Sequence, residues 1–248
     1  MTDSPNKPLV IAELYKTFGA QKVLDGVSFS VAKGEIVYVL GRSGTGKSVL
    51  LRLLVGLASP DAGSIQINGE EITQLGTQRL NELRRTIGFL FQQSALYDSL
   101  NLEQNVQFPL RHLGHEKESQ RATRATDLLA SVGLTSGLTK MPAEISGGMK
   151  KRVALARALA LNPTIILFDE PTAGLDPITA AEISQLIVDL RDQRGVTSVV
   201  VTHEIHCAKY YSDRVLLLSE GKIVVDGAFT DMQASTDAIA QQFLTNSA

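Results

Sequence analysis

The sequence has one cysteine, no tryptophan and only 5% aromatic residues among its 248 positions. A single thiol, Cys207, cannot form an internal disulfide, which excludes a disulfide-stapled secreted domain. We recognise no secretory leader at the N-terminus and therefore expect the reducing cytosol as the compartment. In that setting we expect Cys207 to contribute to core packing.

Long hydrophobic runs and an excess of one charge are also missing. The longest apolar stretch, residues 49–58, is interrupted by Arg52 and is too short to cross a bilayer, so any membrane role requires a partner. The chain has 24 basic and 26 acidic residues, and this balance argues against nucleic acid as the default partner, with a local basic patch as the alternative. Hydrophobic residues make up 44% of the chain, which excludes wholesale disorder.

A glycine-rich loop, GRSGTGKS, occupies residues 41–48. The apolar run EIVYVL leads into it and SVLLRLLVGL follows as a predicted helix, so the spacing fits the phosphate-binding pattern GxxxxGK[ST]. Backbone N–H groups and the helix dipole would converge on one anion. Lys47 is predicted to reach the β- and γ-phosphates and Ser48 to bind Mg²⁺. The loop predicted to cradle the phosphates consists of Gly41, Arg42, Ser43, Gly44, Thr45 and Gly46.

Two adjacent carboxylates, Asp169 and Glu170, end the unbroken apolar run TIILF. Such a run is typical of a buried parallel strand, and ligands of open α/β sheets sit at the carboxyl ends of the strands. Asp169 suits indirect coordination of Mg²⁺. Glu170, whose side chain is expected to point the opposite way from that of Asp169, could accept a proton from a water that attacks the γ-phosphate.

A second glycine-rich turn, Ser146-Gly147-Gly148, opens the predicted helix KKRVALARALAL. Its hydroxyl and backbone amides would face outward at a positive dipole end. One nucleotide does not need two phosphate cradles, so a two-fold dimer with ATP between the subunits is the economical arrangement. The alternatives remain a simple turn and helix cap for this motif, and a solvated face for Lys150, Lys151 and Arg152.

Other parts of the chain predict the surrounding architecture. VIAELYKTF and VLDGVSFSV predict a small N-terminal β-layer, whereas residues from about 99 to 160 have helical spacing. We predict helices over Thr77–Arg85 and Ile178–Arg191, the latter with Asp176 as N-cap and Pro177 in the first position. VLLLSE and KIVVDG predict a hairpin, and a short helical tail follows it.

Taken in order, the P-loop, FQQ, ISGGM, FDEPTAGLDP and VTH resemble the nucleotide-binding domain of an ABC transporter over nearly the whole chain. The resemblance implies an α/β P-loop NTPase with a mainly parallel core sheet flanked by helices, an N-terminal antiparallel β-layer and a helical subdomain. It implies one ATPase domain over residues 1–248. In that domain, about 1–98 and 161–248 form a RecA-like core with the β-layer, and about 99–160 form the helical subdomain.

The same resemblance implies roles for single residues. Phe18 would stack on adenine, with Tyr15 or a core aromatic role as alternatives. Gln92, with Gln93 as the weaker candidate, would sense Mg²⁺ and the attacking water, and Asp176 would cross the dimer. His203, after the strand VTSVVVT, would contact the γ-phosphate and orient water together with Glu170.

Two departures from the usual LSGGQ signature are Ile145 and Met149. A thioether is a poor acceptor and no donor, so Met149 loses whatever hydrogen bond the usual glutamine makes. SGGM, SALYDSLNLEQNVQFPL and DPITA resemble the ATPases of Mla/Mce-type systems, which move phospholipids or other lipids. Neutral drift within a generic ABC ATPase is the alternative.

The resemblance therefore implies an ATPase with ATP and Mg²⁺, working as a homodimer on the cytoplasmic face of the inner membrane. Its expected partners are integral permease subunits, contacted near Tyr97 and Phe108, and an MCE-type lipid-binding protein. The rival functions are the ATPase of another small-substrate transporter, such as one for amino acids, and a soluble ABC ATPase acting on DNA or ribosomes. A P-loop kinase or GTPase fits less well, because neither class requires the SGG helix and the switch histidine.

Overall fold

The computed structural model describes residues 7–114 and 117–246. An antiparallel sheet in the order β2-β1-β4-β5 is built mainly from the N-terminal part of the chain. Its inner side chains, among them Leu9, Ile11 and Ile65, are buried. The predicted β-layer is therefore present, and it also takes in the strand SIQI from beyond the P-loop. Its strands are β1 (Leu9–Phe18), β2 (Gln21–Val31), β4 (Ala62–Ile67) and β5 (Glu70–Glu71).

The second sheet has six strands in the order β10-β9-β3-β8-β7-β6. The neighbours from β9 to β6 are parallel, and only β10 pairs antiparallel. Its central strands are apolar on both faces because both are covered. One face shares a buried cluster with the antiparallel sheet and the helix after the P-loop, and the other face packs against helices from the later part of the chain. The expected mainly parallel sheet is confirmed. Its strands are β3 (Ile36–Leu40), β6 (Ile87–Leu90), β7 (Ile165–Asp169), β8 (Thr197–Thr202), β9 (Arg214–Ser219) and β10 (Lys222–Gly227).

Several helices begin at residues whose side chains cap them. Asn101 accepts from the Gln104 N–H at 2.8 Å, and the Gln104 side chain accepts from the Asn101 N–H at 3.0 Å. Asp176 accepts from the N–H of Thr179 at 3.0 Å, with Pro177 next, so the predicted cap is confirmed. The helices are α1 (Lys47–Leu54), α2 (Thr77–Arg84), α3 (Leu102–Leu113), α4 (Glu118–Ser131), α5 (Gly147–Ala158), α6 (Pro177–Arg194), α7 (Ile205–Tyr211), α8 (Phe229–Ala234) and α9 (Ala238–Asn246), with short 3₁₀ turns at Ile72–Gln74 and Pro142–Glu144.

The predicted helical segment contains α3, α4 and α5, which pack against one another. Their buried side chains, such as Val106, Leu129 and Leu155, belong to the same apolar cluster as Leu90 and Phe168 of the parallel sheet. Because such a close-packed core transmits strain, a movement of these helices would also displace residues of the parallel sheet. In the described part of the chain no helix is both long and apolar enough to span a membrane.

Candidate nucleotide site

The P-loop joins β3 to α1 through a glycine that no other residue could replace without strain. Gly46 has φ of 101°, and a Cβ there would lie 2.8 Å from Cγ1 and 2.9 Å from the carbonyl oxygen of Val23. The left-handed conformation and the close approach both require glycine. This turn places Lys47 at the first position of α1, while Arg42, Ser43 and Gly44 are exposed. The loop is thus open to solvent at its rim and closed at its base.

Lys47 lies at that base with 5% of its surface exposed. Its Nζ donates to the carbonyl oxygens of Gly41 at 2.7 Å and Arg42 at 2.9 Å, and it lies 3.8 Å from Oε1 of Glu170. Burial lowers the pKa of Lys47, and the carboxylates of Glu170 and Asp169 oppose that shift. An ammonium surrounded by loop carbonyls is positioned to exchange those contacts for phosphate oxygens.

Ser48 and Asp169 meet across the space between α1 and β7. The Ser48 hydroxyl donates to Oδ1 of Asp169 at 3.0 Å. Burial raises the pKa of Asp169, although the bond from Ser48 acts in the opposite direction. Hydroxyl and carboxylate oxygens are the hard donors that Mg²⁺ prefers. No cluster of three or more His, Cys, Asp or Glu within residues 7–114 and 117–246 could hold a metal, so a Mg²⁺ here would take its other ligands from phosphates and water.

Glu170 occupies a strained but well-held position directly after β7. Its φ is 48°, a left-handed conformation that costs a non-glycine residue about 1–3 kcal/mol. The backbone N–H donates to the carbonyl oxygen of Val201 at 2.9 Å. The Thr202 hydroxyl donates to Oε2 at 2.9 Å, and Nδ1 of His203 lies 3.0 Å from the same oxygen. With 8% of its surface exposed, the carboxylate has a fixed direction, as a general base requires.

The strand register brings these groups to one edge of the sheet. Leu40, the last residue of β3, pairs with Thr202, and Asp169 pairs with Val201. The P-loop, Asp169, Glu170 and His203 therefore emerge together, as predicted from the carboxyl ends of parallel strands. The two carboxylates point to different partners, Asp169 to Ser48 and Glu170 to His203.

Gln92 and Phe18 lie outside this hydrogen-bonded group. Gln92 and Gln93 are both exposed after β6. Phe18 is 53% exposed at the end of β1, so it is not a core aromatic of the β-layer. Tyr15, 36% exposed, donates its hydroxyl to Glu13 at 3.2 Å, which engages it within the sheet. The roles predicted for Gln92 and Phe18 in sensing Mg²⁺ and stacking on adenine stay predictions.

The Ser146-Gly147-Gly148 turn does open α5. The Ser146 side chain caps the helix by accepting from the Met149 N–H at 3.3 Å. Ser146 and Gly147 are exposed, whereas Gly148 is buried, and a Cβ on Gly148 would lie 2.5 Å from Cγ2 of Thr179. We call Ser146 and Gly147 the signature tip. The helix cap and an outward-facing anion site are compatible, because the glycine amides lie in the first turn.

Lys151 was missed by sequence reasoning, and the solvated-face interpretation is wrong for it. Only 4% of its surface is exposed, and its Nζ donates to the backbone carbonyls of Gln92 and Glu170. Arg152 is partly buried and donates to the carbonyl of Val132 at 2.8 Å. Helical spacing could have indicated the burial of Lys151, because positions 148, 151 and 155 share one face of α5. All three residues are buried.

The family follows from comparison with known proteins. Residues 24–173 match the family model described as ABC transporter. The dimeric post-hydrolysis structure of the ATP-binding cassette MJ0796 with ADP and Pi has a TM-score of 0.81 and 35% identity, covering 89% of this chain and 98% of that one. CbiO1 from Clostridium perfringens, part of the cbiONQ complex, has a TM-score of 0.86 and 29% identity, covering 96% and 95%.

Several curated relatives are more similar in sequence. The probable ribonucleotide transport ATP-binding protein mkl of Mycobacterium bovis is 43% identical over 93% of this chain. The methionine import ATP-binding protein MetN of Mesorhizobium japonicum is 42% identical over 94%, and the chloroplastic protein TRIGALACTOSYLDIACYLGLYCEROL 3 of Arabidopsis thaliana is 42% identical over 95%. The chain spans 64% of the length of the first two and 72% of the third.

The chain belongs to the ABC transporter family. Its fold is that of the family's ATP-binding domain, an ATPase that uses ATP with Mg²⁺.

Proposed function

We propose that this protein drives a membrane transporter by closing a dimer around MgATP and reopening it after hydrolysis, and that its cargo is a phospholipid or related lipid. The observation that carries the first part is the convergence of Lys47, Asp169 and Glu170 at one edge of the parallel sheet. These are a phosphate-binding cation, a carboxylate suited to Mg²⁺ and a buried general base. Together they fit phosphoryl transfer to water.

The protein groups divide the chemistry between them. Lys47 replaces its bonds to the loop carbonyls with bonds to the β- and γ-phosphates. Glu170, held by Thr202 and His203, accepts the proton from the attacking water. When bound through Ser48 and Asp169, Mg²⁺ would neutralise phosphate charge. Gln92 would sense the metal and the water from the loop after β6, and Phe18 would stack on the adenine.

The dimer is proposed from the signature tip. Ser146 and Gly147 are exposed at the start of α5, where a helix N-terminus favours an anion. A second subunit would supply that anion as the triphosphate of its own nucleotide, and Asp176 would lie at the crossing between the subunits. The similarity to MJ0796, whose structure is dimeric, supports this arrangement.

Coupling to a permease is proposed at the loop and helix that follow Gln92. Tyr97 is 44% exposed, and its ring centroid lies 4.4 Å from that of the half-buried Phe108. Aromatic side chains with an exposed edge are typical contact residues of protein interfaces. The permease would hold the ATPase at the cytoplasmic face of the inner membrane, and an MCE-type lipid-binding protein would complete the complex.

The lipid cargo rests on local sequence features and on one relative. Ser146-Gly147-Gly148-Met149 and residues 176–180 resemble the Mla/Mce-type ATPases, and the Arabidopsis relative is named after a glycolipid. A second candidate, amino acid import, is favoured by the similarity to MetN, which is named for methionine import. The mycobacterial relative is named for ribonucleotide transport.

Replacing Glu170 by Gln tests the chemistry. The amide cannot accept the proton, so we expect kcat to fall by about 100- to 10,000-fold while ATP still binds. Steady-state ATPase assays and equilibrium titration with a fluorescent ATP analogue measure the two quantities separately. Near-normal turnover in the folded variant would refute the role of Glu170.

Isolation of the native complex tests the cargo. The protein is tagged, its complex is extracted from membranes, and subunits and bound lipids are identified by mass spectrometry. A permease with an MCE-domain subunit and phospholipid is the expected result. An amino-acid-binding subunit would replace the lipid proposal with amino acid import, and ribosomes or DNA in place of a permease would remove transport altogether.

A further inference from the structure

Two lysines are buried among the described residues, Lys47 of the P-loop and Lys151 of α5. Lys151 lies one turn beyond the signature tip, on the inner face of the same helix. Its Nζ donates to the carbonyl oxygen of Gln92 and, at 3.2 Å, to that of Glu170. One ammonium group therefore connects the signature helix to the backbone of two residues proposed to act in hydrolysis.

The bond to Glu170 completes the support of a strained backbone. The N–H of Glu170 donates to the carbonyl of Val201 at 2.9 Å, and the Glu170 carbonyl accepts from Lys151 at 3.2 Å and from the Ala173 N–H at 3.3 Å. A left-handed non-glycine residue persists only when its surroundings over-determine it. Without Lys151, the Glu170 carbonyl loses its charged donor and keeps the longer bond from the Ala173 N–H, so the direction of the carboxylate becomes less defined.

The bond to Gln92 belongs to a wider attachment of the same loop to α5. Arg157, further along the helix, donates to the carbonyl oxygens of Ala95 at 2.7 Å and Ser94 at 2.8 Å. Lys151 and Arg157 thus attach residues 92–95 to α5 by hydrogen bonds. A shift of the signature tip would move this loop and the Glu170 carbonyl together, because α5 is a continuous helix from residue 147 to 158.

The charge of Lys151 also requires an explanation beyond packing. Burial lowers its pKa, and the carboxylates of Asp169, Glu170 and Glu204 oppose that shift. A well-packed apolar residue often serves stability as well as or better than a buried charge. A lysine at this position is therefore more economically explained by the two carbonyls it holds than by the volume it fills.

We propose that Lys151 is a positioning residue for ATP hydrolysis, which sets the backbone of Glu170 and Gln92 from the helix that carries the signature tip. The proposal rests on the functions proposed above for Glu170 and Gln92. It goes beyond them by giving the signature helix a direct mechanical link to the catalytic groups of its own subunit. Contact between the signature tip and the partner's nucleotide would then adjust the position of Glu170 in the subunit that carries the tip.

The test compares Lys151→Met, which keeps the length and removes the donor, with Lys151→Arg, which keeps a cationic donor. We expect kcat of Lys151→Met to fall by about 10- to 100-fold, as for a misplaced catalytic group, and the KM for ATP to stay within about twofold, since Lys151 does not contact the P-loop. Lys151→Arg should recover part of the loss. Lys150→Met, on the same helix and without a bond to either carbonyl, is the matched control and should retain wild-type kcat.

Thermal melting of each variant accompanies the kinetics. Should Lys151→Met fail to fold, Lys151→Gln replaces it, and we expect at least about a tenfold loss in kcat because the shorter amide cannot reach both carbonyls. A folded Lys151→Met or Lys151→Gln protein with kcat within twofold of wild type would overturn the proposal. A rise in KM with unchanged kcat would overturn it equally.

A double-mutant cycle separates this inference from the proposed function. If Lys151 acts through Glu170, then Lys151→Met should cost less than about twofold further in a Glu170→Gln background, because effects of residues acting as a unit are not additive. A full, independent loss in that background would overturn the positioning role. Normal turnover by Glu170→Gln alone would instead refute the general base, whatever the result at Lys151.

Discussion

The two glycine-rich helix starts of this protein differ in what surrounds them. At the P-loop, the first helical residue is the buried Lys47, and Asp169 and Glu170 approach it from β7. At the signature tip, Ser146 and Gly147 are exposed and the only side-chain bond described is the cap to Met149. The same local motif therefore forms a nearly complete site in one place and an open half-site in the other. This difference is the reason for proposing that a second molecule completes the tip.

The largest expected effect comes from the complete site. Lys47→Ala removes one partner of a buried charged group, a change that costs about 2–5 kcal/mol. We therefore expect the Kd for ATP to rise by about 30- to 4,000-fold and hydrolysis to be lost. Isothermal titration of the monomer measures the affinity, with the exposed Lys140→Ala as charge control. An unchanged affinity would remove the P-loop from nucleotide binding and with it the basis of the comparison.

The open half-site predicts a different phenotype. A Cβ on Gly147 would meet only Cδ2 of Leu175, at 3.5 Å, so Gly147→Glu fits the single subunit. Its charge would repel the triphosphate of a partner, and we expect the ATPase rate to fall by about 10- to 100-fold while the monomer's affinity for ATP stays within about twofold. Gly76→Glu is the matched control, because Gly76 is an exposed N-cap glycine in open space.

Mixing the two variants sharpens the distinction. In a mixed dimer of Lys47→Ala and Gly147→Glu subunits, one intact P-loop faces one intact tip. We expect the mixture to hydrolyse ATP faster than either variant alone. If no activity returns at any mixing ratio while mixed dimers form, the two motifs do not act between subunits.

The smallest expected effect separates the cap from the tip. Ser146→Ala loses an N-cap bond that is already long, at 3.3 Å, so we expect the free energy of unfolding to fall by about 0.5–1 kcal/mol. Urea denaturation measures it. Because the same hydroxyl faces the proposed partner nucleotide, the ATPase rate should fall by more than this change in stability explains. If the ATPase rate falls only as far as the loss of stability explains, Ser146 acts as a helix cap and has no role at the partner's nucleotide.

Much of the site was readable from sequence because its chemistry is local. The loop at residues 41–48 and the pair Asp169-Glu170 each follow an apolar strand, and the carboxyl ends of parallel strands share an edge. Asp176 was predicted as a helix cap from the neighbouring Pro177, and the structure bears this out. The core packing expected of Cys207 is also confirmed, with 5% of its surface exposed.

Other features were not readable, because they depend on which segments meet. The insertion of β8 between β3 and β7 and the pairing of the SIQI strand with β1 are choices among several strand orders. In the sequence, Lys151 resembled part of a basic surface because Lys150 and Arg152 flank it. In the folded helix, however, these neighbours do not share its face of α5. Only the packing of α5 against the loop after β6 and the end of β7 gives it two carbonyl acceptors, those of Gln92 and Glu170.

The sequence by itself determined the elements and the chemistry each carries: the phosphate loop, the paired carboxylates, the histidine after β8 and the second glycine-rich helix start. These follow from residue type and short spacing, which act within a few residues of the chain. The tertiary structure alone decided that Glu170 is strained, that His203 and Thr202 hold it, and that Lys151 supports it from α5. Such contacts join residues far apart in sequence, and only the buried core fixes which of them meet.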